Sequence, residues 1–262
     1  MTLRVLVTND DGVAAPGLAA LAAGMVAAGH DVVVAAPSRD HSGSGAGIGP
    51  LQAGTGIEVA RVELPGIETT PAFSVDGPPA LAVMAGRLGA FGPEPHVVVS
   101  GVNPGTNTGR SVLHSGTVGA ALTAANFGTS GLATSIATGE PSELATAVLL
   151  ATAALAWLVD APARTVLNLN VPNLRAADVR GVRNARLAPF GSVRAAIAES
   201  RDGLLQIELA ETQVELDPDT DTALVMAGYA AVTALVGVRA IEDVDASTAL
   251  AEVLQLELEA TR

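Results

Sequence analysis

Residues 96–128 read HVVVSGVNPGTNTGRSVLHSGTVGAALTAANFG and hold one strand, one loop and one helix in succession. The run from His96 to Ser100 predicts a buried strand, because valine favours a pleated sheet. The loop that follows is rich in Gly and Asn, which interrupt strands and helices. Ser115 can cap a helix that stops at Gly128, since Ser is a preferred N-cap and Gly a preferred helix stop. This order is typical of the repeating unit of an α/β fold.

The same order of elements recurs on both sides of this unit. The predicted strands are 3–8, 31–36, 96–100, 132–136 and 165–169, with shorter ones within 57–75, and the predicted helices are 16–29, 78–88, 115–128 and 142–159. Strands that alternate with helices of this length predict a parallel sheet with both faces covered by helices. We therefore expect an α/β protein with one core domain over residues 1–175.

The alternation weakens after about residue 175. Residues 180–211 have the pattern of irregular hairpins, residues 228–235 that of a strand, and residues 247–259 that of an amphipathic helix. We predict that residues 176–262 form a C-terminal extension. It would consist of hairpin arms, a strand over 228–235 that returns to the core, and a closing helix.

The composition excludes several kinds of chemistry. The 262 residues include 27 acidic and 14 basic side chains, for a net charge of −13, and the chain has no cysteine and no lysine. This rules out Schiff-base catalysis, a Walker-type phosphate lysine, a thiol nucleophile and a thiolate zinc site. A nucleic-acid polymer is not an expected partner, because binding one needs an excess of Lys and Arg. An anionic substrate would need a local attraction such as a bound cation.

No membrane or export segment is expected. The N-terminal residues LRVLVTNDDG lack a basic region followed by a long apolar one. The most apolar run, Leu144 to Val159, is shorter than the roughly 20 residues of a membrane-spanning helix. We expect a cytoplasmic protein in which this run is a buried helix.

Polar residues cluster where the predicted strands end, which is where parallel α/β sheets bind ligands. They are Asp10 and Asp11 after the first strand, Ser42 and Ser44 after the second, Asn103, Asn107 and Arg110 after strand 96–100, and His114, Ser115 and Thr117 at the start of the next helix. Carboxylate, hydroxyl and amide oxygens suit Mg²⁺ or Mn²⁺. The helix N-terminus suits a phosphate. A metal ion beside a phosphate pocket indicates hydrolysis.

Simpler interpretations stand beside this one. Asp-Asp-Gly after a strand is also a common turn. His41 and His114 both adjoin the candidate site, and the sequence does not choose between them as functional or structural residues. Asn168 and Asn170 can simply satisfy the backbone at a strand end, and Arg110 is either a solvated loop charge or a clamp for an oxyanion.

Five blocks of the sequence match known motifs in order. They are RVLVTNDDGVAAPGL (4–18), VVVAAPSRDHSGSG (32–45), VVVSGVNPGTNTGRSVLHSGTVGAA (97–121), LNLNVPN (167–173) and TDTALVMAGYAAVTAL (220–235). They resemble the SurE family of 5′/3′-nucleotidases, metal-dependent phosphatases of nucleoside monophosphates. The chain departs from the family pattern at Thr123 and Ala124, which replace Glu-Gly, at residues 78–82, which lack an acid and a thiol, and at Ala234, which replaces a proline. These departures concern the helix packing behind the pocket, and hence the substrate preference, more than the reaction.

The resemblance implies a fold, a cation site and a substrate site. The fold is a Rossmann-like three-layer core, with a C-terminal extension that exchanges arms between subunits of a homodimer or homotetramer. One divalent cation is bound by Asp10, Asp11, Ser42 and Asn103. The phosphate and substrate contacts that we predict are Asn9, Gly43, Ser44, Asn107, Arg110, Ser115, Gly116 and Thr117.

The expected function is metal-dependent hydrolysis of nucleoside 5′- and 3′-monophosphates, and of short polyphosphate. Asp10, Asp11 and His114 are the predicted catalytic residues: Asp10 assists removal of a proton from water, and His114 protonates the leaving alcohol. One alternative is a non-catalytic oligomeric module that binds nucleotide and metal. A haloacid-dehalogenase-type phosphatase is disfavoured, because Asn9 occupies the position of its nucleophilic aspartate and the chain has no lysine.

Overall fold

The computed structural model describes residues 1–51, 54, 56–189, 193–201, 204–211, 215–239, 247 and 251. The strands of this part are β1 (Arg4–Thr8), β2 (Asp31–Pro37), β3 (Val59–Val62), β4 (Ala72–Val75), β5 (Val97–Pro104), β6 (Ser130–Ile136), β7 (Val166–Val171), β8 (Val182–Asn184), β9 (Val193–Arg201), β10 (Leu204–Glu211) and β11 (Ala230–Leu235). The α-helices are α1 (Pro16–Ala27), α2 (Pro79–Arg87), α3 (Gly116–Asn126), α4 (Leu144–Val159) and α5 (Asp221–Met226), and 3₁₀ turns occupy Gly109–His114 and Ala176–Asp178.

Nine strands form one sheet in the order β3-β4-β2-β1-β5-β6-β7-β11-β8. The six strands from β4 to β7 are parallel, which confirms the predicted parallel core. Their order is that of a doubly wound fold, in which the chain first adds strands on one side of β1 and then on the other. The direction of winding reverses between β1 and β5. That pair is therefore the topological switch point of the sheet.

Helices cover both faces of the sheet. Val5 and Val7 of β1 belong to the core cluster that contains α1 and α4, whereas Leu6 belongs to the cluster that contains α2 and α3. Successive side chains of a strand point to opposite faces, so a continuous run of apolar residues is buried on both sides. The fold is therefore a three-layer α/β sandwich, as expected.

The sheet is mixed at its ends, where the prediction of a parallel sheet was incomplete. Strand β3 is antiparallel to β4, and β11 is antiparallel to β7. Strand β8 then pairs with β11 in parallel. Residues beyond 175 thus extend the core sheet, and the domain division at 175 stays a prediction.

The segment expected to form irregular hairpins is more regular than predicted. Its first part is β8 at the edge of the sheet, and its second part is the antiparallel ribbon β9–β10. Helix α5 precedes β11 and was not predicted from the sequence. The closing helix predicted over 247–259 lies, except for positions 247 and 251, outside the described residues.

The most apolar run forms α4, which packs one face on the sheet. Ala147, Ala151 and Leu155 on that face are buried in the core, and Leu149 and Trp157 lie exposed. Within the described part of the chain, no helix has both the length and the apolar character needed to cross a membrane.

Two leucines of α4 provide a matched test of this packing. Leu155 is 0% exposed and Leu149 is 57% exposed. We expect Leu155→Ala to lower the free energy of unfolding by about 2–5 kcal/mol, because it leaves a cavity in the core. Leu149→Ala should change it by less than about 0.5 kcal/mol. Urea unfolding of both variants checks this, and equal losses would contradict the orientation of α4.

Candidate functional site

The candidate site lies at the carboxyl ends of β1 and β5, at the switch point of the sheet. Thr8, the last residue of β1, pairs with Ser100, and the parallel strand β5 continues in the same direction to Pro104, so both strands end on the same side of the sheet. Asn9, Asp10 and Asp11 follow β1 directly, and Asn103 is the second-last residue of β5. Ligands of doubly wound proteins bind in the crevice at this point, because the loops on either side diverge there.

Asp10 links three segments that are far apart in the sequence. Its side chain is only 4% exposed, and Thr117 Oγ1 of α3 donates a hydrogen bond to its Oδ1. Its carbonyl oxygen accepts a hydrogen bond from His41 N, in the loop after β2, at 2.8 Å. Burial raises the pKa of Asp10, and the hydrogen bonds from Thr117 and Gly116 oppose this rise. The carboxylate therefore lies at the positive end of the α3 dipole.

Two glycines of α3 allow the loop after β2 to lie against the helix. A β-carbon at Gly116 would lie 2.7 Å from Asp10 Oδ2 and 2.8 Å from Ser44 Oγ. A β-carbon at Gly119 would lie 2.1 Å from the carbonyl oxygen of Gly45. Any larger residue at these positions would separate the loop from the first turn of α3. Asp10, Ser44, Gly116 and Thr117 are thus brought together.

The first turn of α3 is suited to an anion. Ser115 caps the helix, and its Oγ accepts a hydrogen bond from Val118 N at 3.1 Å. The first N–H groups of a helix have no intrahelical acceptor, so they carry partial positive charge. Gly116 and Thr117 occupy these positions.

Asp11 is the second carboxylate of the site. Its Oδ2 atom is buried without a hydrogen-bond partner. Burial, followed by the negative charges of Asp10 and Asp40, raises the pKa of Asp11 to about 7. A cation bound between the two aspartates would offset both the burial and the repulsion.

Two neutral side chains have oxygens available for such a cation. Ser42 Oγ donates its proton to Asp40 Oδ1 at 2.6 Å, which leaves its lone pairs free to face a metal ion. Asn103 Nδ2 donates to the carbonyl oxygen of Gly105 at 2.6 Å, so its Oδ1 is the group that could act as a ligand. Among the described residues, no three or more His, Asp or Glu side chains lie together at a metal-binding spacing. Two carboxylates with neutral hydroxyl and amide oxygens are the kinds of ligand that a hard cation takes, so the chemistry of these side chains fits one.

Asn107 is anchored to the ends of β6 and β7, further along the sheet. Its backbone N donates to Asn170 Oδ1 at 2.8 Å, and its carbonyl oxygen accepts from Asn168 Nδ2 at 2.8 Å and Asn170 Nδ2 at 3.0 Å. Its side-chain Nδ2 donates to Ser135 Oγ at 2.8 Å. Asn168 and Asn170 thus satisfy backbone groups of Asn107, in the loop after β5, and not those of their own strand.

The other predicted residues occupy different positions around the crevice. Asn9 is buried, and its Nδ2 donates to the carbonyl oxygen of Gly12 at 3.0 Å. Gly43 is exposed, while Arg110 and His114 are exposed on the turn that leads into α3. The carbonyl oxygen of His114 accepts a hydrogen bond from Gly45 N at 3.1 Å. His41 lies beside Asp10 with its Nε2 atom buried and unpartnered.

Two aspartates of this region were missed from the sequence. Asp40 Oδ1 accepts hydrogen bonds from both the backbone N–H and the hydroxyl of Ser42. An Asp two residues before such a donor is a known local turn signal. Asp221 accepts a hydrogen bond from Gly109 N at 2.9 Å, across 112 positions of sequence. No local pattern could have indicated that contact.

Comparison with known proteins gives consistent matches over most of the chain. The family model described as "Survival protein SurE" matches residues 5–192. A protein named 5′-nucleotidase SurE from Pseudomonas entomophila is 37% identical over 244 residues, spanning 89% of this chain and 92% of that protein. The protein of the same name from Azotobacter vinelandii is 34% identical over 240 residues, with the same coverage.

A solved structure supports the same assignment. The crystal structure of the SurE protein from Aquifex aeolicus superposes with a TM-score of 0.74 at 27% sequence identity. The match covers 97% of this chain and 99% of that one.

The contact between α3 and the loop after β2 can be tested at Gly119. We expect Gly119→Ala to lower the free energy of unfolding by about 1–3 kcal/mol, because the added methyl group collides with the Gly45 backbone. Gly56→Ala is the control, since a β-carbon at Gly56 has no atom within 4 Å. Urea unfolding of the two variants measures the difference. A Gly119→Ala protein as stable as the wild type would contradict the close approach.

Proposed function

The chain belongs to the SurE family, and from that premise we propose that it is a divalent-metal-dependent phosphomonoesterase that acts on nucleoside monophosphates. Both 5′- and 3′-monophosphates are substrates, and short polyphosphate is a further one. The observation that carries this proposal is the pair of adjacent carboxylates at the end of β1: Asp10 is buried against the N-terminus of α3, and the half-buried Asp11 lies next to it. The relatives named 5′-nucleotidase SurE support the same reaction.

We assign one Mg²⁺ or Mn²⁺ ion to Asp10, Asp11, Ser42 and Asn103. The unpartnered Oδ2 of Asp11, the proton of Ser42 that is directed to Asp40, and the available Oδ1 of Asn103 support this set. When bound, such a cation lowers the pKa of a water molecule and offsets charge on phosphoryl oxygens. It would also attract an anionic substrate to a protein whose net charge is −13.

The phosphate is bound by the loops around the first turn of α3. The N–H groups of Gly116 and Thr117 point along the helix dipole, and Arg110 offers a planar pair of donors to the oxyanion. We assign the remaining substrate contacts to Asn9, Gly43, Ser44, Asn107 and Ser115.

Two side chains move protons in the proposed mechanism. Asp10 accepts a proton from the attacking water, with Thr117 holding its carboxylate in position. His114 donates a proton to the leaving alcohol. This role is supported by the position of His114 on the exposed turn directly before the phosphate-binding residues. Positioned proton transfer of this kind contributes about 10²–10⁴-fold to a rate.

We also propose that the chain assembles as a homodimer or homotetramer through residues 176–262. The ribbon β9–β10 supports this, because among the described residues its strands pair only with each other. The cytoplasmic location expected from the sequence stays a prediction.

The proposed reaction is tested by phosphate release from a panel of 5′- and 3′-nucleotides and short polyphosphate. We expect EDTA to abolish the release, and added Mg²⁺ or Mn²⁺ to restore it. Asp10→Asn and Asp11→Asn should remove activity while leaving the protein folded, since each deletes a charged ligand.

The matched control is Asp160→Asn, which changes an exposed aspartate after α4. It should keep wild-type activity. Undiminished phosphate release by Asp10→Asn or Asp11→Asn in the presence of EDTA would overturn the metal assignment. Binding of Mn²⁺ and nucleotide without any phosphate release would instead favour the non-catalytic module.

The role of His114 is tested by changing the leaving group. We expect His114→Gln to lower kcat for a nucleoside 5′-monophosphate by about 10²-fold or more. The same variant should hydrolyse p-nitrophenyl phosphate at nearly the wild-type rate, because nitrophenolate departs without a proton. His41→Gln serves as the comparison on the other side of the site. Equal losses on both substrates would contradict proton donation by His114.

A further inference from the structure

Asp221 is a fully buried carboxylate that joins three segments of the chain. It is 0% exposed and begins α5. Its Oδ2 accepts a hydrogen bond from Gly109 N at 2.9 Å, and its Oδ1 accepts from Ala188 N at 2.9 Å and from Thr222 N at 2.8 Å. The carboxylate thus connects the 3₁₀ turn 109–114, the stretch after β8, and α5.

This carboxylate has no cationic partner among the described residues. The ion pairs of that part of the chain involve other acids. Burial raises the pKa of Asp221, and the hydrogen bonds from Ala188, Gly109 and Thr222 oppose the rise. A buried acid without a counter-ion reduces stability unless backbone donors satisfy it. Here two of those donors belong to segments outside its own helix.

The turn 109–114 is held at two successive N–H groups. Gly109 N donates to Asp221, and Arg110 N donates to the carbonyl oxygen of Ala188 at 3.1 Å. Ala188 is itself fixed by Asp221 Oδ1. The turn carries Arg110 and His114 and continues directly into Ser115, the cap of α3. Its position therefore depends on Asp221.

We propose that Asp221 is a positioning residue for phosphate hydrolysis. It sets the start of the turn, and through the turn it sets Arg110 and His114 relative to the first N–H groups of α3. The inference rests on the proposed function. Asp221 lies in the motif block 220–235 quoted above, beyond residues 5–192 that the family model matches.

The test is Asp221→Asn in the full-length protein. An amide has one acceptor oxygen, which can keep the bonds to Ala188 and Thr222, while its NH₂ group then faces Gly109 N–H, a donor against a donor. We expect kcat/KM for a nucleoside 5′-monophosphate to fall at least about tenfold, because small misplacements of reacting groups are costly. The Mg²⁺ concentration for half-maximal activity should not change. The stability of the variant is measured by urea unfolding, and the assays are run under conditions well below its unfolding midpoint.

The control is Asp217→Asn, which alters an exposed acid paired with Arg186 at 2.7 Å in the same segment. It should keep wild-type kinetics. A folded Asp221→Asn protein with wild-type kcat/KM would overturn the inference, even if its stability is lower.

In the wild type, the Gly109 amide should exchange with solvent as slowly as amides inside α3. Exchange at the rate of an open loop would also overturn the inference.

Failure of the proposed function gives a different result. A wild-type protein that releases no phosphate from any nucleotide would overturn the proposed reaction. The affinity for inorganic phosphate then decides the role of Asp221. Weaker binding by Asp221→Asn would support it as a positioning residue of the anion site, and equal affinity would overturn it.

Discussion

Two adjacent aspartates at the end of the central strand impose the main constraint on this molecule. Asp10 and Asp11 carry like charges at a site where burial raises the pKa of both. Such a pair reduces stability unless nearby groups offset it. The first turn of α3 and the hydroxyl of Thr117 do so for Asp10. The apolar core around β1 keeps both carboxylates in place despite their repulsion.

The same constraint explains the small residues around the site. The effect of a helix dipole falls off within about the first turn, so α3 must approach Asp10 closely to stabilise its negative charge. That approach leaves no room for larger residues: Gly45 and Gly119 lie where backbone meets backbone, and Gly116 lies against the side chains of Asp10 and Ser44. Gly116 and Gly119 are therefore a consequence of this close approach, and Gly45 also has a φ of +54°, which favours glycine.

Much of the fold could be predicted because its signals are local. Buried β-branched runs stop at Gly, Pro or Asn, and helices begin and end at residues with known preferences. The prediction failed where pairing alone defines a strand. Strand β5 continues past Ser100 to Pro104 through an irregularity, because Asn103 and Pro104 pair with β6 although Gly-Val-Asn-Pro carries no strand pattern. The antiparallel direction of β11 likewise depends on its neighbour β7, which no local pattern specifies.

For the candidate site, sequence reasoning reached the residues that follow strands but not those that support them. Asp10, Asp11 and Asn103 could be grouped because parallel strands end at one edge. The support of Asn107 by Asn168 and Asn170 was open to a simpler interpretation, since their partner lies some 60 positions away. The link from Asp221 to Gly109 spans 112 positions, and although both residues lie in motif blocks, neither block indicates that the two are in contact. Long-range polar contacts of this kind are defined by the fold, so they can be identified only after the structure is known.

The distance of these contacts along the chain has a consequence for biosynthesis. Asp10 meets Thr117 across 107 positions, and Gly109 meets Asp221 across 112. Domains are made from the N-terminus onward, so the strands of the first half can pair while the rest is still being translated. The support for the turn 109–114 is missing until α5 has left the ribosome. The growing chain therefore carries the turn 109–114 without this hydrogen bond through most of its synthesis, and the bond forms only when α5 packs onto the core.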